Sequence, residues 1–248
     1  MLNYSDIRFL ARCLRYRYRT ERLPLKTLMG LNLSGATVLD IGANKGIYSF
    51  WMARAVGETG RVLAFEPQPE MRTYIESRKA SFGWRNVTVF ETALSSAPGV
   101  AVLARQRIGD GSASLQPGRR RDSSETITVA LSKLDDMQDP AGLKFIKCDV
   151  EGHEPEVFLG AEQTIRRHRP VVQFEAVAAE APQLFSFFLD HGYSGVMLLG
   201  DRYLHYTNPD NVPHYKFGQG GHRDYLFFHP EAVGTTIPLS ISRQFPRI

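Results

Sequence analysis

The chain has 248 residues, and its 30 lysines and arginines against 26 aspartates and glutamates give a formal net charge of +4 and a sequence pI of about 9.1. This mild basicity is not the concentrated stripe of a nucleic-acid-binding surface, so we expect no nucleic-acid partner. With 43% hydrophobic residues, the chain is long enough to form one α/β domain with a full core.

Cysteine usage and hydropathy bear on the compartment. The two cysteines, Cys13 and Cys148, are too few for a disulfide framework, which favours a reducing cytoplasm. The sequence has no run of about 18 apolar residues, and arginines interrupt the N-terminal segment where a signal peptide needs an apolar core. We therefore expect a cytoplasmic chain that does not span a membrane.

The N-terminal segment combines arginines with apolar residues that recur at roughly helical spacing between residues 5 and 28. We predict that residues 1–36 form a basic helical cap. The interleaving of Tyr and Arg favours a solvated face on a cap over the active site. Peripheral contact with an anionic membrane and reception of an acidic substrate stay open as alternatives. The arginines are Arg8, Arg12, Arg15, Arg17, Arg19 and Arg22.

Residues 37–49 are the most informative stretch, because an apolar run ends in Asp40 and is followed by Gly42, Asn44 and Gly46. A strand that breaks at glycines and continues as a helix brings backbone N–H groups close to a ligand. The spacing differs from the G-x-G-x-x-G of dinucleotide-binding proteins. Asp40 would repel a pyrophosphate and attract the cationic groups of S-adenosylmethionine. Asn44 is expected to replace a glycine, since its short side chain tolerates left-handed backbone.

The next apolar segment, residues 61–65, is predicted to be a second buried strand, and Glu66 follows it 24 residues after Gly42. An acidic residue at about this offset accepts hydrogen bonds from ribose hydroxyls in doubly wound sheets. Asn86–Glu91 is predicted to be a third strand, and Ala93 beyond it is a candidate for the adenine edge. Ordinary packing is the alternative for Ala93.

Residues 99–130 are predicted to be an insertion in which two strands flank a polar loop. Long loops inside compact domains are usually functional or disordered, so part of this one is expected to fold over the substrate. Arg119, Arg120 and Arg121 are interpreted as a solvated tip, with contact to an anionic substrate group as the alternative.

Acidic residues follow two further predicted strands. Asp149 and Glu151 come after residues 143–148, and Glu175 ends the strand that begins near Arg169. Because ligands of open α/β sheets bind outside the carboxyl ends of the strands, these acids are predicted to share one cleft with Asp40 and Glu66. Such clustering of like charge needs a cation, a proton or hydroxyl donors to offset it.

The last third is predicted to complete the same domain, which spans residues 37–248. A helix is expected over residues 180–191, and strands are expected over residues 194–199 and 225–229. Between these strands, residues 200–224 are rich in Tyr, His, Asn, Pro and Gly, a composition that suits an acceptor-binding loop. An irregular surface loop fits equally well.

Five segments together resemble the FkbM family of S-adenosylmethionine-dependent methyltransferases over residues 37 to 176. The resemblance implies an α/β, Rossmann-like class I methyltransferase with a doubly wound, mostly parallel sheet, an antiparallel last strand and a small inserted β-hairpin. It also implies O-methylation of a sugar, glycolipid or secondary metabolite. The segments are Asp40-Ile-Gly-Ala-Asn-Lys-Gly46, Phe65-Glu66-Pro67, Thr92-Ala-Leu-Ser95, Leu134-Asp135-Asp136 and Lys147-Cys-Asp-Val-Glu-Gly-His-Glu154.

The resemblance also implies roles for single residues. The residues it places at the cofactor are Asp40, Gly42, Ala43, Asn44, Gly46, Tyr48, Ser49, Glu66, Pro67 and Ala93. An alcohol is a weak nucleophile, so the enzyme must orient it and remove its proton. The candidate bases are Asp149, Glu175, Glu151 and His153. Asp149 and Glu175 rank first, and His153 is equally well explained as a surface residue of its loop.

Three alternatives remain open at this stage. A divalent metal held by Asp149, Glu175 and one of His205, His214 or His222 would lower the pKa of the acceptor, although no tight ligand motif supports it. An NAD-dependent oxidoreductase would have no reason for Asp40. A binding module without catalysis would not need Asp149 and Glu175. Oligomeric state and the identity of the hydroxyl acceptor stay open.

Overall fold

A large sheet organises the computed structural model of the protein, which describes residues 3–116, 125–176, 181–206 and 223–246. Its strand order is β10-β9-β11-β8-β7-β1-β2-β3. Pairing is parallel from β3 to β8, whereas β11 runs antiparallel to both β8 and β9. The expected mostly parallel sheet with an antiparallel last strand is confirmed. The strands of this sheet are β1 (Thr37–Ile41), β2 (Arg61–Phe65), β3 (Val87–Phe90), β7 (Leu143–Cys148), β8 (Val171–Ala176), β9 (Ser194–Leu199), β10 (Arg202–His205) and β11 (Arg223–Phe228).

Helices cover both faces of this sheet. Neighbouring strand residues point to opposite faces, so Val38 joins one buried cluster and Leu39 joins the other. The longest helix within the described ranges has 14 residues, and none of these helices has the length and apolarity that a membrane crossing requires. The helices are α1 (Tyr4–Arg15), α2 (Arg22–Gly30), α3 (Ile47–Val56), α4 (Pro69–Phe82), α5 (Glu154–Leu159), α6 (Glu162–His168), α7 (Ala181–Asp190) and α8 (Leu239–Ser242).

The N-terminal segment is helical, but a π-helical turn over Tyr16–Thr20 separates α1 from α2. Phe9 and Cys13 of α1 are buried in the same cluster as Val38 of β1. The ring of Phe9 lies 5.7 Å from the ring of Phe50 in α3, in an edge-on contact. The segment therefore shares the hydrophobic core of the sheet.

A second, smaller sheet combines two strands of the inserted segment, β5 (Gly99–Arg105) and β6 (Glu125–Ser132), with β4 (Ala93–Leu94), which precedes that segment. The predicted hairpin exists as the antiparallel pair of β5 and β6. The prediction was incomplete, because residues 93–94 add a third strand parallel to β6. A two-residue strand carries too little periodicity to be recognised in a sequence.

The predicted acceptor loop over residues 200–224 was wrong at its start. Arg202–His205 form β10, which pairs with β9 through a two-residue turn at Gly200 and Asp201. Gly200 has φ +61°, the left-handed conformation that such tight hairpin turns require. Residues 207–222 of this loop, with His214 and His222, lie outside the described residues.

Candidate active site

A cavity of about 290 Å³ opens at the carboxyl ends of β1, β2, β7 and β8. Parallel strands end at the same edge of a sheet, which brings together residues that are up to 135 positions apart in the chain, from Asp40 to Glu175. Two predicted residues, Gly46 and Ser49, do not line it. The predicted residues in its wall are Asp40, Gly42, Ala43, Asn44, Tyr48, Glu66, Pro67, Ala93, Asp149, Glu151, His153 and Glu175.

The glycine loop after β1 owes its shape to three left-handed residues, Gly42, Asn44 and Gly46, with φ of +80°, +46° and +73°. The expectation that Asn44 adopts a glycine-like conformation is confirmed. Gly42 has a second constraint, because a Cβ at this position would lie 1.9 Å from the backbone carbonyl oxygen of Asp149. The loop after β1 and the loop after β7 therefore touch at their backbones.

Asp40 lies almost fully buried beneath this loop. The hydroxyl of Ser49 in α3 donates a hydrogen bond to Oδ2 of Asp40. Burial raises the pKa of Asp40 from 3.8 to about 6, although the bond from Ser49 acts in the opposite direction. Ser49 thus orients a carboxyl group of the cavity wall without facing the cavity itself.

Glu66 bridges the ends of β1 and β2. Its two carboxylate oxygens accept hydrogen bonds from the backbone N–H of Asn44 (2.7 Å) and of Gln68 (2.9 Å). Burial raises the pKa of Glu66 to about 7, against the opposing effect of these bonds. A carboxylate has about four acceptor positions, so capacity remains for two ribose hydroxyls.

Glu154 shapes the loop that carries Asp149. Its side chain is buried and accepts hydrogen bonds from the backbone N–H groups of Val150 and Gly152, both at 2.9 Å. Glu151 between them has φ +55°, a strained conformation for a side chain of this size. Glu154 therefore holds the loop in shape, a role that its place at the start of α5 did not reveal.

Lys147 is a residue of the cavity that sequence reasoning did not assign. Its side chain is only 2% exposed, and its Nζ lies 3.5 Å from Oδ2 of Asp149 and 5.3 Å from the centre of the Tyr48 ring. Burial alone would lower the pKa of Lys147, but the surrounding carboxylates outweigh burial and raise it, so the side chain stays charged. These carboxylates belong to Asp149, Asp224, Glu21 and Glu175.

Glu21 and Asp224 were also missed, because each comes from a part of the chain that is distant in sequence. Glu21 lines the cavity, and the charge of Asp224 acts on Lys147. Glu21 accepts a hydrogen bond from the hydroxyl of Tyr48, and that hydroxyl accepts one from Gln173 at 3.0 Å. Asp224 pairs directly across from Glu175 between β11 and β8. Burial raises the pKa of Asp224 to about 8, and the charge of Glu175 acts in the same direction.

His153 lies in the cavity wall, so its interpretation as a surface residue was wrong. Its Nε2 is 3.0 Å from the hydroxyl oxygen of Ser95. Burial lowers the pKa of His153, which favours the neutral ring at neutral pH.

The inserted segment closes one side of the cavity, in agreement with the expectation that part of it folds over the site. Lys45 donates a hydrogen bond to the carbonyl of Gly109, and the Asn44 amide donates one to the carbonyl of Asp110 at 3.2 Å. Asp110 and Leu115 line the cavity. Arg119, Arg120 and Arg121 lie outside the described residues.

The metal alternative gains no support from the described ranges, in which no group of three His, Cys, Asp or Glu side chains is arranged to hold a metal. Of the three histidines proposed as the third ligand, only His205 lies within those ranges.

The sheet order, the left-handed loop after β1 and the carboxylate after β2 define a class I methyltransferase. The sequence matches the methyltransferase FkbM domain over residues 40–194, which is more than half of the chain. The chain belongs to the FkbM methyltransferase family. No curated protein matches the sequence.

Solved structures share the fold at low identity. A methyltransferase FkbM from Methylobacillus flagellatus KT has a TM-score of 0.54 and 16% identity, and the match covers 91% of this chain and 56% of that one. This chain thus spans about half the length of that protein. A putative rRNA methylase from Clostridium thermocellum has a TM-score of 0.51 and 11% identity, with 83% and 93% covered. SMU.1697c, a putative methyltransferase from Streptococcus mutans in complex with SAH, has a TM-score of 0.50 and 9% identity, with 85% and 97% covered.

Proposed function

We propose that the protein transfers the methyl group of S-adenosylmethionine to a hydroxyl of a sugar, glycolipid or secondary metabolite. The observation that carries this proposal is the placement of Asp149 and Glu175 beside buried Lys147, in the same cavity as the glycine loop and Glu66. A methyl acceptor with a hydroxyl needs a base at the cofactor, and this cavity offers carboxylates next to the cofactor-binding residues.

The residues present fit the cofactor by their chemistry. Glu66 has acceptor capacity for the ribose, the backbone of Ala43 and Asn44 lines the wall beside it, and Asp40 contributes a carboxyl group below. Ala93 is proposed at the adenine. When bound, S-adenosylmethionine supplies a methyl group on a positively charged sulfur, which is a good leaving group. The acidic wall favours that charge.

Asp149 or Glu175 is proposed to accept the proton of the acceptor hydroxyl as the oxygen bonds to the methyl carbon. Lys147 contributes a positive charge that keeps these side chains ionised and therefore able to accept a proton. Glu151 and neutral His153 are the further candidates for the base.

Buried Cys13 and Cys148 are free thiols, which fits the proposed reducing cytoplasm.

A small-molecule or glycan acceptor is preferred over RNA, although the putative rRNA methylase shares the fold. The cavity wall contains seven carboxyl side chains and two lysines, so a phosphate backbone would be repelled at the site of chemistry. The carboxyl side chains are Glu21, Asp40, Glu66, Asp110, Asp149, Glu151 and Glu175, and the lysines are Lys45 and Lys147.

The metal-assisted mechanism remains the alternative. The ammonium of Lys147 already lies against Asp149, and a divalent ion bound there would be repelled by it. We expect full activity after exhaustive EDTA treatment. Activity that is lost with EDTA and restored by Mg²⁺ would establish the alternative.

The proposal is tested with calorimetry and a labelled-methyl assay on the full chain. S-adenosylmethionine should bind and NAD should not, and methyl transfer is measured to sugars, glycolipids, small alcohols and an rRNA fragment. Asp149→Asn should leave cofactor affinity within about threefold and lower turnover by about 100-fold or more. The control is Asp136→Asn, at an exposed position away from the cavity.

Each result has a distinct meaning for the proposal. Cofactor binding with no transfer to any acceptor would favour the non-catalytic binding module. Transfer to the rRNA fragment alone would overturn the choice of acceptor. Undiminished turnover in Asp149→Asn would move the base to Glu175, Glu151 or His153.

A further inference from the structure

The outward face of α1 carries large apolar side chains that nothing in the described structure covers. Phe9 and Cys13 are buried on the inner face, whereas Tyr4, Ile7 and Leu14 are 75%, 57% and 42% exposed. At 100° per residue, the three exposed side chains fall within an arc of about 80° on the opposite side of the helix. This exposed stripe has the apolar character of a binding surface.

Arginines border this stripe. Arg8 and Arg15 are exposed and lie beside it on the helix surface. Asp6 is the one acidic residue between positions 3 and 20, and it is buried in an ion pair with Arg78 of α4. The positive charge of the outward face is therefore not neutralised by an acid of the same segment.

A groove beside the start of α1 adds to this surface. It has a volume of about 300 Å³, and Arg8, Arg12 and Lys45 line it together with exposed Tyr4 and Ile108. Its described lining contains no carboxylate. Cations that share a groove without an acid attract phosphate groups, and aromatic and aliphatic side chains at the same place attract acyl chains.

Burial and the nearby guanidinium groups of Arg12 and Arg107 lower the pKa of Lys45. Burial is the largest cause of the lowered pKa, and the charges of Asp110 and Glu66 act in the opposite direction. An anion bound between Lys45 and Arg12 would relieve the repulsion between these two cations. This agrees with the groove as a place for a phosphate.

We propose that the outward face of α1 and the adjoining groove dock on an anionic lipid bilayer, with Tyr4, Ile7 and Leu14 in the interface and the arginines at lipid phosphates. A nucleic acid would use the arginines but has no use for exposed Ile7 and Leu14. An anionic bilayer uses both sets of side chains, which is the pattern of an interfacial helix.

Docking on this face would hold the cofactor cavity close to the lipid. Lys45 lines both the groove and the cavity, and Tyr16 and Glu21, which follow α1 directly, line the cavity as well. The proposal does not depend on methyl transfer, and it is tested without an acceptor.

The test is co-sedimentation of the full chain with vesicles of phosphatidylcholine alone or with 30% phosphatidylglycerol, at low and high salt. We expect pelleting with the anionic vesicles only, weakened by salt because the Debye length shortens. Arg8→Gln with Arg15→Gln should weaken binding by about 25-fold, at about fivefold for each charge. Ile7→Ser with Leu14→Ser should weaken it by about tenfold or more.

Matched controls separate this surface from general effects of charge and hydrophobicity. Arg85→Gln with Arg243→Gln removes the same charge from exposed positions elsewhere, and Leu189→Ser removes a leucine as exposed as Leu14. Both controls should bind like the wild type. Absence of pelleting with anionic vesicles, or equal loss in controls and test variants, overturns the proposal. So does tight binding to an RNA duplex that displaces the vesicles and is unaffected by Ile7→Ser with Leu14→Ser.

Discussion

The ammonium of Lys147 lies 3.5 Å from Oδ2 of Asp149, two residues further along the same chain segment. Lys147 lies next to Cys148, the last residue of β7, and Asp149 begins the loop that contacts Gly42. This pair places a positive charge under a cavity whose wall carries seven carboxyl side chains and one further lysine, Lys45. It supplies the cation that clustered carboxylates require.

Replacement of Lys147 should therefore destabilise the protein in a pH-dependent way. Lys147→Met removes the cation and leaves the carboxylates of Asp149, Glu175 and Asp224 facing one another, which should cost about 3 kcal/mol of unfolding free energy at pH 8. Their pKa values in the folded state rise, so the stability of the variant is greatest at low pH and falls as the pH rises through those values. Denaturant unfolding at pH 5 and pH 8 measures this. Lys144→Met, on the exposed side of β7, should change little at either pH.

Gly42→Ala should destabilise the protein by more than the left-handed φ of this residue alone would predict. The new Cβ would lie 1.9 Å from the Asp149 carbonyl oxygen, so β1 and β7 must separate at their ends. We expect a loss of about 3 kcal/mol. The control is Gly83→Ala, where φ is +67° in the left-handed helical region and no atom lies within 4 Å of the added carbon, with an expected loss of about 1 kcal/mol. Equal losses in chemical denaturation would contradict the backbone contact.

Asp40→Asn should stabilise the cofactor-free protein as the pH rises while weakening cofactor binding. Burial raises the pKa of Asp40 from 3.8 to about 6, so its contribution to stability is present below pH 3.8 and is lost as the pH rises to about 6. The asparagine variant lacks this loss and should gain about 3 kcal/mol over the wild type across that window. Calorimetry should show about 10- to 100-fold weaker S-adenosylmethionine binding.

The control for this variant is Asp136→Asn, an exposed aspartate away from the cavity, which should change neither the pH profile nor the affinity. A pH profile of Asp40→Asn that runs parallel to the wild type would show that burial does not raise the pKa of Asp40 above its value in the unfolded chain. Undiminished cofactor affinity would remove Asp40 from the cofactor site.

Phe9→Ala tests whether α1 unfolds together with the sheet. Phe9 is buried among Phe50, Phe82 and Trp84, so the substitution should cost about 3 to 4 kcal/mol. Ile7→Ala, on the exposed side of the same helix, should stay within about 0.5 kcal/mol of the wild type. A separate early transition in circular dichroism, ahead of the main unfolding transition of either variant, would show that α1 folds independently.

Local patterns in the sequence were sufficient to predict much of the fold and part of the candidate site. Asp40, Gly42, Asn44 and Gly46 lie within seven residues, and their spacing already indicates a strand, a left-handed loop and a helix. Glu66 follows at the distance that one helix and one strand require. Chain order and apolar periodicity likewise indicated β7, β8 and β11, because these strands are long enough to show their pattern, whereas the antiparallel direction of the last strand came from the family resemblance.

The short strands and the remaining wall of the cavity carried no such signal. Ala93–Leu94 and Arg202–His205 are strands only because a partner strand lies beside them. Lys147 offered one hint, as a charge within an apolar strand that needs a buried partner, but nothing in the sequence named that partner.

The sequence by itself determined which segments form the long strands, the left-handed loop for the cofactor and the acidic ends of the strands, because each depends on residues close together in the chain. Only the tertiary structure decided that Glu21 and Asp224, which are 203 residues apart, act on the same lysine. The tertiary structure also decided which face of α1 is exposed to solvent. Both results depend on how β11 and the N-terminal helices pack against the sheet. Burial and the proximity of charges that are so far apart in the chain cannot be inferred from the spacing of neighbouring residues.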